Sequence, residues 1–233
     1  MSAPLASPFS TPALSPALTG FDRVAWCYDA LAGLVFGPAQ RRAQQAALAG
    51  LPAGAPNVLI LGGGTGWVLL EVLRRRPRAT VLYLEASAKM LARTKARLAR
   101  KCPAAASQVV FRHGTQTALA PAETFDSIIT FFVLDCIAQT EVPGALAQLH
   151  AARRPGATWL LAEFRPAGWG WRRLLLRLMY TFFRLTTGLR ANELPGLRPV
   201  LARLGLRATN HGTFFGGAIE AVVFSEIPPL PSL

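Results

Sequence analysis

A glycine-rich stretch, Gly62-Gly63-Gly64-Thr65-Gly66, is the first part of the sequence whose residue types suit binding chemistry. The four apolar residues before it (58–61) predict a short buried strand, and residues 67–75 after it predict a helix. Glycine lets the chain turn sharply and lets a ligand approach the backbone closely. The start of a helix adds N–H groups and the positive end of the helix dipole. The stretch is therefore typical of a cradle for a nucleotide-like ligand.

An acidic residue ends the next predicted strand. Residues 80–84 form another apolar run, and Glu85 follows it, 19 residues after Gly66. A carboxylate at the tip of a second strand can accept hydrogen bonds from both ribose hydroxyls of a nucleoside. The glycine stretch, the helix and this acid together predict a cofactor that contains adenosine.

The spacing of the glycines indicates which adenosine cofactor is expected. Gly62 and Gly64 fit the first two positions of the dinucleotide fingerprint, but the third position falls on Trp67. Because that third glycine permits close helix packing, an indole there argues against NAD and FAD. No Gly-Lys-Ser/Thr sequence follows, which excludes a P-loop.

The glycine stretch resembles motif I of class I S-adenosylmethionine-dependent methyltransferases. Further stretches resemble later motifs of that family in the expected order: Glu85 to Leu91 its acid-x-Ser-x-x-Met-Leu signature, Phe125 to Ile129 its fourth strand, and Arg154-Pro155-Gly156 the turn before its fifth strand. Tyr28-Asp29 and Ala162 to Pro166 are similar to the branch that methylates carbon in ubiquinone and menaquinone biosynthesis. The resemblance covers roughly residues 21–224.

This resemblance implies an α/β fold, Rossmann-like, with a seven-stranded and mostly parallel sheet in the order 3-2-1-4-5-7-6 and helices on both faces. It implies S-adenosyl-L-methionine as the cofactor and one methyltransferase domain over residues 21–233. Proline at every fourth position of residues 1–20 predicts a disordered tail before that domain. The cofactor-binding residues expected from it are Tyr28, Gly62, Gly63, Gly64, Thr65, Gly66, Glu85, Ala86, Met90, Thr115, Gln116 and Phe131.

Two positions depart from the family pattern. Ile60 stands where the family usually has an acid two residues before the first glycine, and Gly114-Thr115 stands where it often has Gly-Asp. These departures motivate one alternative, a degenerate cofactor-binding protein without catalytic activity.

Methyl transfer from a sulfonium is an in-line displacement, so the protein mainly aligns the reactants and excludes water. A general base is needed only where the acceptor must lose a proton. Ligands of open parallel sheets lie beyond the carboxyl ends of the strands. Asp135, after predicted strand four, is therefore the first candidate base, and His211, after predicted strand six, is the second. Asp135 could instead cap a helix, and His211 could be a turn residue.

Periodicity predicts the remaining elements. Residues 87–101 give an amphipathic helix with Ser87 as its N-cap. The other predicted helices are 40–48, 142–153 and 197–204, and the other strands are 108–112, 125–134, 157–164, 206–210 and 218–225.

Residues 168–188 predict a helix inserted after strand five. Arg173, Arg177 and Arg184 lie on one side, and a broad apolar face that includes Trp171 lies opposite. Arginine combined with interfacial aromatic residues is typical of a helix on an anionic bilayer surface. A lid helix that packs on the domain is the alternative, and the two are compatible.

The amino-acid composition limits the number of domains, the kinds of partner and the cellular compartments that fit this sequence. The 233 residues fit one α/β domain, and the net charge of +13 suits either a polyanionic partner or a genome that favours arginine. The three cysteines have no metal or redox spacing, which suits a reducing cytosol. Because no apolar run reaches the ~18 residues of a membrane span, a cytoplasmic protein, with or without membrane association, is expected.

The sequence thus favours a methyltransferase for a small or lipophilic acceptor, quinone-like or phospholipid-like, with no metal ion. The net charge motivates a second alternative, an RNA methyltransferase. Against nucleic acid as a partner, residues 130–133 read Thr-Phe-Phe-Val where an Asn-Pro-Pro-Tyr type motif would stand.

Overall fold

The computed structural model describes residues 38–165 and 197–226. In these residues seven strands form one sheet: β1 (Asn57–Leu61), β2 (Thr80–Glu85), β3 (Val109–His113), β4 (Phe125–Phe131), β5 (Arg153–Phe164), β6 (Leu206–Phe214) and β7 (Ile219–Glu226). The helices are α1 (38–47), α2 (Trp67–Arg75), α3 (Ala88–Lys101), α4 (Val142–Ala151) and α5 (Leu197–Arg203).

The strand order is β3-β2-β1-β4-β5-β7-β6, which confirms the order implied by the resemblance. Strands β1 to β5 are parallel, and β7 runs antiparallel to both of its neighbours. The carboxyl ends of β1 to β5 therefore meet at a single edge of the sheet, where ligands of such sheets bind.

Helices cover both faces of the sheet, so its central strands are almost entirely apolar. On one face α2 and α3 pack through Leu69 and Leu91 against strand residues such as Ile60. On the other face α4 and α5 pack through Leu146 and Leu201. Ile60, the position where the family usually has an acid, is completely buried in the first layer.

The local predictions for the first two crossover helices are confirmed. Helix α2 has the predicted bounds, and the Ser87 hydroxyl caps α3 by accepting a hydrogen bond from the Met90 N–H at 3.2 Å. Met90, Leu91, Thr94 and Leu98 form the buried face of α3, as its apolar spacing predicts.

The predicted end of strand four was wrong by three residues. The strand stops at Phe131 because Phe132 has a φ of 54°, in the left-handed region, which turns the chain out of the sheet. Residues Leu134–Cys136 then form a short 3-10 turn. This early turn brings Asp135 beside the carboxyl end of β5 instead of continuing β4.

The boundary between α4 and β5 also differs from prediction. The helix ends at Ala151 and the strand already begins at Arg153, because Arg153 pairs with Phe125 of β4. The expected turn at 154–156 is instead an irregularity within the strand, with Gly156 at a φ of 75°.

Strand β6 runs four residues beyond its predicted end, since residues up to Phe214 pair with β7. The remaining boundaries differ from prediction by one or two residues. The proline-rich tail at 1–20, Tyr28 and the predicted helix at 168–188 lie outside the described residues. Within the described ranges, no helix is both long and apolar enough to span a membrane.

Candidate functional site

The glycine loop connects the carboxyl end of β1 to α2. Gly62, Gly64 and Gly66 have φ values of 64°, 60° and 83°. Only glycine adopts this region without strain, so the sequence of the loop follows from its backbone path. Residues 62–65 are half-buried and thus partly open to solvent at the edge of the sheet.

One side of the loop is packed tightly and the other side is open. A Cβ atom at Gly63 would lie 2.5 Å from the Tyr83 hydroxyl, and one at Gly66 would lie 2.5 Å from Thr94 Cγ2. A Cβ at Gly64 would meet no atom closer than Met90 Sδ at 3.8 Å. The space beside Gly64 is therefore a cradle that a bound group can occupy.

Three side chains from β2 and α3 hold Gly64 in place. The Tyr83 hydroxyl and the Thr94 hydroxyl donate to the Gly64 carbonyl at 2.9 and 2.8 Å. The Gly64 N–H donates to Glu85 Oε2 at 3.0 Å, and the Ser87 N–H donates to Glu85 Oε1 at 2.9 Å. Glu85 thus orders the loop. A carboxylate has about four lone-pair sites, so it can accept further hydrogen bonds from a ligand.

The ends of β2 and β3 are joined beside Glu85. The Gly114 N–H donates to the Glu85 carbonyl at 3.0 Å, and His113 Nε2 donates to the Ala86 carbonyl at 2.9 Å. The half-buried Thr115 and Gln116 follow directly. The structure therefore brings all of these predicted cofactor-binding residues to one edge of the sheet.

Two predicted cofactor-binding residues are buried beneath this edge. Met90 lies under Gly64, and Phe131 belongs to the apolar core at the end of β4. Any contact that Phe131 makes with a ligand would come from its backbone or from the rim of its ring.

The chain that leaves β4 carries the predicted base. The Phe132 N–H donates to the Ala162 carbonyl at 2.8 Å, and the Leu134 N–H donates to Glu163 Oε2 at 3.2 Å. Asp135 follows in the 3-10 turn, where its Oδ1 accepts from the Cys136 thiol at 3.4 Å. Positive φ values at non-glycine residues such as Phe132 cluster at functional sites.

Burial changes the protonation of the acids at this edge. It raises the pKa of Asp135 to about 6. Burial first, and then the charge of Asp135, raise the pKa of Glu163 well above its ordinary value. Burial and the neighbouring carboxylates also raise the pKa of Cys136, so its thiol stays protonated.

The position of Glu163 at the carboxyl end of predicted strand five placed it near the site, but the sequence assigned this residue no role. Its signal in the sequence was a single acid near the end of an otherwise apolar strand, residues 157–164. A lone acid at a strand end is also common on protein surfaces. Only its burial in the structure therefore identifies Glu163 as a candidate site residue.

His211 does not lie in a connection after strand six, as predicted. It lies within β6, where its Nε2 is 3.4 Å from Glu220 Oε2. Arg165 Nε approaches the same carboxylate oxygen at 3.6 Å. Because the antiparallel pairing extends β6 to Phe214, His211 stands three residues before the end of the strand. Its proposed role as a base stays a prediction.

No group of three or more potential metal ligands lies close enough together to hold a metal ion within residues 38–165 and 197–226.

Residues 59–159 match the sequence pattern of a methyltransferase domain family. A curated relative, the ubiquinone/menaquinone biosynthesis C-methyltransferase of Syntrophotalea carbinolica, is 32% identical over 145 residues. The match covers 62% of this chain and 59% of the relative, so the chain spans about three fifths of the relative's length.

Solved structures of methyltransferases share this fold. The Burkholderia thailandensis 1,6-didemethyltoxoflavin-N1-methyltransferase, solved with S-adenosylhomocysteine, superposes with a TM-score of 0.67 at 18% identity over 96% of this chain and 94% of its own. The magnesium protoporphyrin IX methyltransferase of Synechocystis gives a TM-score of 0.61 at 18% identity, over 81% of this chain and 83% of its own.

We expect Gly63→Ala to destabilise the protein by about 1–3 kcal/mol, because the new methyl group overlaps the Tyr83 ring. Gly144→Ala is the matched control. Gly144 lies inside α4 with no atom within 4 Å of the added methyl, so this change should stabilise by roughly 0.5–1 kcal/mol. Urea denaturation measures both. Equal changes in the free energy of unfolding for Gly63→Ala and Gly144→Ala would contradict the tight packing of the loop.

We expect Asp135→Asn to change how stability depends on pH. A carboxyl whose pKa is raised in the folded state binds more protons there, so stability falls as pH rises through the window from about 4 to about 6. The free energy of unfolding of the Asn variant lacks this fall. Relative to that of the wild type, it should increase by about 1–2 kcal/mol between pH 4 and pH 7.

Glu123→Gln is the control of opposite sign for that measurement. Its hydrogen bond with Arg112 lowers the pKa of Glu123, so its contribution to stability is lost as pH falls. If the free energy of unfolding relative to the wild type changed with pH in the same direction in both variants, this result would contradict the burial of Asp135.

Proposed function

We propose that this chain transfers a methyl group from S-adenosyl-L-methionine to a small or lipophilic acceptor that loses a proton in the reaction. The observation that carries the proposal is the open side of Gly64, held next to the Glu85 carboxylate and facing the carboxyl edge of the sheet. A loop with this conformation, followed by a helix and faced by an acid, suits an adenosine-containing ligand.

Different residues at this edge would contact different parts of that cofactor. Glu85 would accept hydrogen bonds from the ribose hydroxyls, and Thr115 and Gln116, which follow the end of β3 beside Glu85, would hold the adenine. The loop at 62–66 would hold the amino-acid part, and Tyr28 is proposed to close over it. When bound, the cofactor supplies a methyl group already activated by the sulfonium charge.

The protein must then position the acceptor and remove its proton. Asp135 lies in the turn after β4, at the edge where acceptors of such sheets bind, and burial places its pKa at about 6. A base with a pKa near the working pH is the most effective one, because it is ionised and still accepts a proton readily. We therefore assign proton removal to Asp135 first and to His211 second.

A quinone-like acceptor is the specific substrate class that we propose. It is supported by the resemblance to the relative from Syntrophotalea, whose name states C-methylation in ubiquinone and menaquinone biosynthesis. A phospholipid-like acceptor is the alternative within the same lipophilic class. Contact of residues 168–188 with an anionic membrane would bring either acceptor to the site.

We expect isothermal titration to show micromolar binding of both S-adenosylmethionine and S-adenosylhomocysteine. Glu85→Ala should weaken both affinities by about 1–3 kcal/mol, since it removes a charged hydrogen-bond partner and releases Gly64. Glu71→Gln is the control, because it also removes a carboxylate but on α2, where Glu71 pairs with Arg74. Unchanged binding in Glu85→Ala would refute the ribose contact.

We expect methyl transfer to demethylated quinone precursors or to membrane lipid extracts, followed with a labelled methyl group. Asp135→Asn should lower kcat by roughly 10²–10⁴-fold while cofactor affinity stays the same. Cofactor binding without transfer to any acceptor would favour a non-catalytic protein. Transfer to RNA alone would refute the lipophilic acceptor.

A further inference from the structure

Glu163 is a buried acid with only one of its two oxygens satisfied. Its side chain is 1% exposed, and Oε2 accepts the Leu134 N–H at 3.2 Å. Oε1 is also buried and has no hydrogen-bond partner among the described residues. Burying a polar oxygen without a partner is costly, and burying a charged one is far more so. A proton on Oε1 removes the charge and turns this oxygen into a donor.

The nearest charged groups decide where that proton is held. Asp135 and Cys136 face Glu163 from the turn after β4, and Asp135 is the charge that acts most strongly on it. Glu220 pairs with Glu163 directly across from it on β7, and Arg165 and His211 lie against Glu220. The Arg165 guanidinium therefore offsets the charge of Glu220, while Asp135 and Glu163 are left as two carboxyl groups in a buried site.

Asp135 directly follows Leu134, whose N–H donates to Glu163, so the two carboxyl groups are neighbours in a buried site. Charging both of them there is unfavourable, so such a pair retains one proton. The two groups differ in burial: Asp135 is half-buried, whereas Glu163 has almost no contact with solvent. The charge therefore stays on Asp135, at the open edge of the sheet, and the proton stays on Glu163, inside it.

We propose that Glu163 is a positioning residue that keeps one proton on Oε1, so that Glu163 and Asp135 together carry a single negative charge at the acceptor site. This inference rests on the proposed function, because it assigns Asp135 an acceptor. In the reaction, the acceptor O–H or C–H bond breaks and an O–H bond forms on Asp135. The electron pair stays on the acceptor and attacks the methyl group, and the proton of Asp135 later leaves to solvent.

The proton on Glu163 can be detected without any methyl transfer. Infrared difference spectra of the wild type minus Glu163→Gln at pH 7 should show the C=O stretching band of a protonated carboxylic acid. Glutamine has nearly the same shape as glutamate, and its amide oxygen still accepts the Leu134 N–H. Absence of the band overturns the proposal.

Raising the pH tests whether the charge of Asp135 helps to hold the proton on Glu163. The carboxylic acid band should disappear at a lower pH in Asp135→Asn than in the wild type, by about one pH unit or more, the scale of a coupled pair. Glu220→Gln is the matched control, because it removes a carboxylate directly opposite Glu163 that Arg165 already offsets, and it should leave the midpoint unchanged. Equal midpoints in the wild type and Asp135→Asn would overturn the coupling to Asp135. If Glu163→Gln does not fold, this midpoint shift still identifies the band.

The pH profile of kcat then links the pair to the reaction. In the wild type, kcat should rise as Asp135 ionises near pH 6 and fall at higher pH as Glu163 loses its proton. Glu163→Gln should keep the rise and lose the fall, whereas a purely structural role would lower kcat equally at all pH values. If no acceptor is methylated at all, the proposed function fails, while the infrared result still decides whether Glu163 holds a proton.

Discussion

The position of Gly64 is the constraint on which the candidate site depends. Its carbonyl accepts hydrogen bonds from Tyr83 and Thr94, and its N–H donates to Glu85. These three side chains come from a neighbouring strand and the next helix, so the loop is fixed by elements that follow it in the chain. A loop fixed in this way binds a ligand without the entropic cost of ordering itself.

The acids at this edge of the sheet differ in how fully their oxygens are hydrogen-bonded. Glu85 is satisfied, because two backbone N–H groups donate to its two oxygens. Glu163 receives one such hydrogen bond and Asp135 accepts from a thiol, which is a weak donor. Glu85 therefore suits a structural and binding role, whereas the other two acids are set up to hold and exchange a proton. The division runs along the sheet, with the proposed cofactor side at β1 to β3 and the proposed acceptor side at β4 and β5.

The turn after β4 joins these two sides. Val133 packs against Gly62 of the loop, and the next residue, Leu134, donates its N–H to Glu163. The left-handed Phe132 makes this path possible, at a cost that the surrounding packing offsets. A change of the loop at Gly62 that displaces Val133 would thus also displace Asp135, two residues further along the chain.

Local patterns in the sequence determined the glycine loop, the bounds of α2, the cap of α3 and, through the family resemblance, the order of the strands. Each of these depends on residues near one another in the chain: glycines where the backbone is left-handed, or a serine at a helix start. Only the tertiary structure decided the early end of β4, the irregularity at 154–156 and the placement of His211 within β6. Those features follow from pairing between strands that are distant in sequence. The same reason applies to Glu163, whose hydrogen bond to Leu134 joins residues 29 positions apart.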